Sequence, residues 1–141
     1  MIEFFVPGKP QALQRHRSTK SGHHYDPSAG DKQDFLAKAM AHRPEEPLRG
    51  PLLLEVFCYF ARPKSHFGTG KNASLLKDSA PVYHTSVPDA DNLLKFVGDA
   101  LNGIFWHDDR QIVLARILKI YGPTPGIQID IKHLKETHNA P

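Results

Sequence analysis

Five aspartates, Asp89, Asp91, Asp99, Asp108 and Asp109, crowd into one short stretch of this 141-residue chain. Asp89 and Asp91 stand two positions apart, directly before an apolar stripe at helical spacing formed by Leu93, Leu94, Val97, Leu101 and Ile104. At a helix entrance such a pair can aim both carboxylates at one point. Hard divalent cations such as magnesium are held by a few carboxylate oxygens completed by water. The same residues can instead cap the helix and favour its positive end. After the stripe comes Trp106-His107-Asp108-Asp109, just before an apolar run. A helix returning along a sheet would bring an acid of this pair back towards the first two, and three acids at the ends of adjacent elements make a metal site. In a connecting loop, an acidic pair otherwise serves turn chemistry. Lys95 lies four residues after Asp91 and four before Asp99, so all three share the helix face opposite the stripe. There the ammonium either joins a ladder of ion pairs, each worth about 0.2–0.5 kcal/mol, or sits beside a metal, where it positions a phosphate and offsets developing charge.

The elements that must hold these residues follow from periodicity and turn signals. Residues 2–6 predict a short strand, and Pro7-Gly8-Lys9-Pro10 a turn. A basic, irregular arm covers about 8–30. Asp31 is the expected N-cap of a helix carrying Phe35, Leu36, Ala39 and Met40, which the prolines of residues 44–51 end. The nearly continuous apolar run 52–60 predicts a buried strand at the centre of the sheet. Residues 62–87 lack periodicity and predict a long loop, functional or disordered. Asp89 then opens the second helix, Gly103 closes it, and 111–121 predicts a strand. Gly122-Pro123-Thr124-Pro125-Gly126 is a turn, and Ile127, Ile129 and Ile131 alternate with polar residues as an edge strand completing a final hairpin. The order is β-α-β-α-β-β: an α+β fold, one domain over 1–141, with a mixed β-sheet and helices packed on it.

The charge distribution agrees with a site that handles phosphates. Net charge is +3, yet residues 4–25 contain no acid while carrying Lys9, Arg15, Arg17 and Lys20, and residues 56–77 contain none while carrying Arg62, Lys64, Lys71 and Lys77. Cationic stretches beside an acidic focus suit a metal-dependent nuclease, the bases holding backbone and the acids the ion. Lys9, Arg15, Arg17, Lys20, Lys64 and Lys71 are the candidate DNA contacts. Nine histidines lack zinc-ligand spacing, and the lone Cys58 reads as a buried thiol. Gly68-Thr69-Gly70-Lys71 is not a nucleotide loop, because Ser65 stands at the first glycine and Asn72 follows the lysine, so no nucleotide cofactor is expected. Trp106 reads as a core anchor. The absence of a long apolar run and of a signal peptide predicts a cytoplasmic protein with no membrane association.

Pro88-Asp89-Ala90-Asp91-Asn92-Leu93-Leu94-Lys95, then Asp99-Ala100-Leu101-Asn102-Gly103, then Trp106-His107-Asp108-Asp109-Arg110-Gln111 resembles the signature of the RusA-type Holliday-junction resolvases, small endonucleases of bacteria and their phages. That resemblance implies that Asp89, Asp91 and Asp109 are catalytic, metal-holding carboxylates and Lys95 a catalytic lysine. Asp108 is a further candidate ligand, and Asp99 carries no assigned role. It also implies magnesium, with manganese as substitute, and a homodimer that resolves four-way DNA junctions by paired symmetric nicks in recombination and repair. The arm and the long loop match least well. Two other readings remain: a nuclease for forks or flaps, and a non-catalytic module that binds branched DNA.

Overall fold

Successive side chains of a strand point to opposite sides of the sheet, which gives it one buried face. In the computed structural model, which describes residues 1–14 and 17–137, Leu52, Leu54, Val56, Cys58 and Phe60 point inward from one strand. Numbered along the chain, the strands are β1 (Ile2–Pro7), β2 (Arg17–Ser18), β3 (His24–Tyr25), β4 (Leu52–Phe60), β5 (Ile112–Tyr121) and β6 (Gly126–His133). The helices are α1 (Ala29–Ala39) and α2 (Ala90–Leu101). The main sheet has the order β1-β6-β4-β5, with β4 and β5 parallel and the other pairs antiparallel. As expected for an α+β domain, both helices pack on one face. Phe35 of α1 meets Phe96 of α2 edge-on at 5.8 Å. Leu93, Phe96, Val97 and Leu101 join the strands' inward residues in one core, each such side chain contributing roughly 1.5–3 kcal/mol.

The strand pairing corrects two expectations. β5 and β6 form no hairpin, because β4 lies between them, and β6 is an interior strand flanked by β1 and β4. A helical crossover through α2 makes β5 the parallel neighbour of β4, leaving the other edge of β4 for β6. The four residues between the two strands, 122–125, readily span two strand spacings of about 4.8 Å each. A Gly/Pro turn reverses the chain without specifying which strand it meets.

The helix starts differ from the sequence expectation at α1 only. Ser28, not Asp31, is the N-cap. Its fully buried hydroxyl accepts the Gln14 N–H at 2.7 Å, fastening the arm to the helix start, and Asp31 falls in the first turn. Asp26 accepts the Ser28 N–H at 2.9 Å and pairs with Lys32. Within the arm, β2 and β3 form a small antiparallel pair. At the other end of α2, Gly103 takes φ +80°, the left-handed conformation that closes a helix without a Cβ penalty.

The long loop is laid down by specific contacts. Arg62 donates to the Pro81 carbonyl at 2.7 Å and lies over the Tyr121 ring at 5.1 Å. The His84 N–H bonds the Lys119 carbonyl and the Tyr121 N–H the Val82 carbonyl, so residues 82–84 run along the C-terminal half of β5. Gly68 is required by packing, since a Cβ there would stand 2.6 Å from that of Asn72. Cys58 is fully buried, and burial pushes its thiol up to about 12, with Lys119 pulling the other way; it is inert, as expected. Among the described residues, no helix is long and apolar enough to cross a membrane.

Candidate active site

Helix α2 carries the first two acids because its sequence places the apolar stripe on one side and Asp91, Lys95 and Asp99 on the other. Asp89 occupies the N-cap with extended backbone (φ −71°, ψ 147°), yet its carboxylate makes no capping hydrogen bond among the described residues. Asp91 follows in the first turn, exposed. Neither acid, nor Lys95, is held in an ion pair among the described residues. Both carboxylates are therefore uncommitted, at the positive end of a twelve-residue helix.

Lys95 connects two clefts. One, of 380 Å³, is lined by Leu13, Gln14, Asp91, Asn92 and Lys95. The other, of 240 Å³, includes Leu94, Lys95, Gly98, Asp99, Asp109 and Ile112. The Leu13 N–H bonds the Asn92 carbonyl at 3.0 Å, which seats the arm against the first turn of α2. Asp99 stands 3.7 Å from Lys32 of α1, so its charge is shared with the helix pair.

The structure separates the two adjacent acids that look alike in sequence. Asp108 caps a single 3-10 turn (Asp109–Gln111), accepting the Arg110 N–H at 2.9 Å, and lies 3.8 Å from the Arg110 guanidinium. Asp109 instead has one carboxylate oxygen, Oδ1, fixed by the Trp106 indole N–H at 2.8 Å. Trp106 is fully buried, as its reading as a core anchor requires, but its polar edge serves the site. Gln111 locks the same turn. Its carbonyl oxygen accepts the His107 and Asp108 N–H groups at 2.8 and 2.9 Å, and its amide donates to the Leu48 and Gly50 carbonyls at 2.9 and 3.1 Å. Sequence reading missed these two holding residues. The signal lay in the signature itself, where Trp106 stands three positions before Asp109 and Gln111 three after Asp108.

The three carboxylates are not gathered at one point. Asp109 Oδ1 would lie 3.9 Å from a Cβ on Gly98, and Gly98 is seven residues along α2 from Asp91, roughly 10 Å of axial rise. Among the described residues no group of three or more His, Cys, Asp or Glu side chains is close enough to hold a metal. Lys95 lines the cleft of Asp91 and the cleft of Asp109 alike.

The candidate DNA contacts are divided between the arm and the long loop. Lys9 is exposed and lines a cavity beside Pro88. Lys20 is exposed in the β2–β3 turn, and Lys64 and Lys71 are exposed on the two 3-10 turns of the long loop. Arg17 opens β2, and Arg15 lies outside the described residues.

Comparison with known proteins gives two matches. The family model described as endodeoxyribonuclease RusA matches residues 7–132. An uncharacterized protein YqaN of Bacillus subtilis (strain 168) is 34% identical over 138 residues, covering 94% of this chain and 96% of that relative.

Proposed function

The chain belongs to the RusA family of endodeoxyribonucleases, and on that premise we propose that it is a magnesium-dependent, structure-selective nuclease resolving four-way DNA junctions by paired nicks. The observation that carries this reading is the uncommitted Asp89–Asp91 pair at the start of α2, joined through Lys95 to the cleft of Asp109. Magnesium takes one or two protein carboxylates and completes its shell with water and substrate phosphate. The exposed, unpartnered carboxylates of Asp89 and Asp91 on a rigid helix suit it without a closed protein cage; Asp109, held by Trp106 beside Gly98, stands apart from that pair and would act from the far side of Lys95, and manganese offers the same oxygen chemistry. When bound, the metal polarises the phosphodiester and lowers the pKa of water. Lys95 holds the scissile phosphate and offsets charge as it develops. Asp108, engaged as a cap, stays outside the ligand set. Two copies related by a two-fold axis supply the two cuts that a symmetric junction requires. Val113 and Leu114, 62% and 41% exposed on the free half of edge strand β5, favour such pairing. The direct test incubates a synthetic four-way junction and its linear duplex with protein, with magnesium or chelator. Magnesium-dependent paired nicks in the junction alone are expected; cutting forks and flaps equally well would replace junction selectivity with general branched-DNA cleavage.

Two further results are expected. Trp106→Phe keeps an aromatic ring in the core at a cavity cost of about 1–3 kcal/mol and removes the indole donor to Asp109, so junction cleavage should fall about 10- to 100-fold, as for other partners that orient metal-site carboxylates. The loss should appear in kcat more than KM and persist well below the thermal midpoint, which the smaller ring lowers by several degrees; an equal loss from a purely structural cause would scale with unfolded fraction. Junction binding should weaken steeply with salt. If Lys9, Lys20, Lys64 and Lys71 each neutralise one phosphate, affinity drops ~10²-fold between 50 and 200 mM salt, and a flat salt response would remove these lysines from the interface.

A further inference from the structure

Beside the carboxylate pair lies a cavity of 520 Å³ whose walls include Lys9, Gln11, Gln14, Phe60, His84 and Pro88. Gln14 also lines the cleft of Asp91 and Lys95, and Pro88 immediately precedes Asp89, so the cavity and the site share a wall. Its chemistry is mixed in a particular way. Phe60 and His84 stack face to face at 3.8 Å and 11°. The aromatic pair is braced by Tyr121, edge-on to His84 at 5.2 Å. His84 Nδ1 is buried with no hydrogen-bond partner among the described residues. The side-chain amides of Gln11 and Gln14 are likewise free of hydrogen bonds among them, and both residues are exposed. A wall of mutually stacked, mostly buried aromatic rings, two free amides able both to donate and to accept, and a cation at the rim suit the edge and phosphate of an unstacked nucleobase. A track for backbone alone needs cations and no such wall.

We propose that this cavity receives one unstacked nucleobase next to the scissile phosphate, with Gln11 and Gln14 engaging its hydrogen-bonding edge and the Phe60–His84 pair its apolar surroundings. The proposal rests on the junction-nuclease reading and extends it: the substrate is a junction able to release a base at the point of cutting into the cavity lined by Gln11 and Gln14. The long loop thereby acquires a role, since residues 82–84 on β5 hold His84 against Phe60.

The test uses four-way junctions in which an abasic analogue replaces, one at a time, each base flanking the scissile phosphate. For the wild-type protein with magnesium, one position should lose about tenfold in cleavage rate, the loss of ~1.4 kcal/mol of transition-state stabilisation. In the Gln11→Ala, Gln14→Ala double variant, whose changes fall on exposed side chains, the same abasic substitution should cost less than threefold. In chelator, where cutting is absent, 2-aminopurine at that position should change its emission severalfold on wild-type binding and much less with the double variant. Equal cleavage at every abasic position, with intact junctions cut normally, overturns the pocket and leaves the nuclease reading standing. Failure to cut any junction overturns the nuclease reading; an emission change that is the same in wild type and double variant overturns the pocket independently of cutting.

Discussion

Asp91→Asn should abolish junction cleavage, lowering the rate at least about 10³-fold, equivalent to ~4 kcal/mol of transition-state stabilisation, while junction binding survives. The substitution is isosteric and falls on an exposed carboxylate in the first turn of α2. Its structural cost is bounded by the lost interaction with the helix dipole, about 0.3–1 kcal/mol, far too little to unfold the domain or to mimic the catalytic loss. Without metal, removing a negative charge from a phosphate-binding surface should leave affinity equal or improve it. The measurement is a single-turnover cleavage series beside a gel-shift or anisotropy titration in chelator. Retention of cutting within tenfold would remove Asp91 from the metal site. Loss of binding and folding together, restored by metal in the wild type only, would make the ion structural and favour a binding module.

Lys95→Ala separates the two meanings of the helix face. If Lys95 serves the reacting phosphate, cleavage should fall about 10²- to 10³-fold, the cost of removing one donor aimed at developing charge. Metal affinity should move the other way. Lys95 lines both the Asp91 and Asp109 clefts, so removing its charge lowers the local positive potential and should tighten magnesium or manganese binding, readable by calorimetry. A surface ladder would instead give an unchanged cleavage rate and a stability loss of a few tenths of a kcal/mol. A parallel fall in metal affinity and cleavage would identify Lys95 as a scaffold for the carboxylates.

The faces of the elements that carry the candidate site were legible because they depend on local period. Apolar spacing after Asp89 placed Asp91, Lys95 and Asp99 opposite the buried stripe, and α2 indeed buries Leu93, Phe96, Val97, Ala100 and Leu101. Alternation along β4, the closing Gly103 and the buried Cys58 likewise follow from rules that act within a few residues. The signature from Pro88 to Gln111 was enough to place the chain in its family before any coordinate. Tertiary structure decided what depends on neighbours distant in sequence. Which edge of β4 receives β6 is settled by the α2 crossover already occupying the other, and no feature of residues 122–126 encodes it. Ser28 caps α1 while its hydroxyl anchors the arm at Gln14, fourteen residues earlier. Asp108 and Asp109 are chemically identical in a string of letters. A single 3-10 turn, clamped by Gln111 to the Leu48 and Gly50 carbonyls, turns one into a cap and presents the other to Trp106. That Asp109 stands beside Gly98, about two turns along α2 from Asp91, arises from where that turn docks on α2, because helical period sets the face a side chain occupies and only packing sets what stands opposite it.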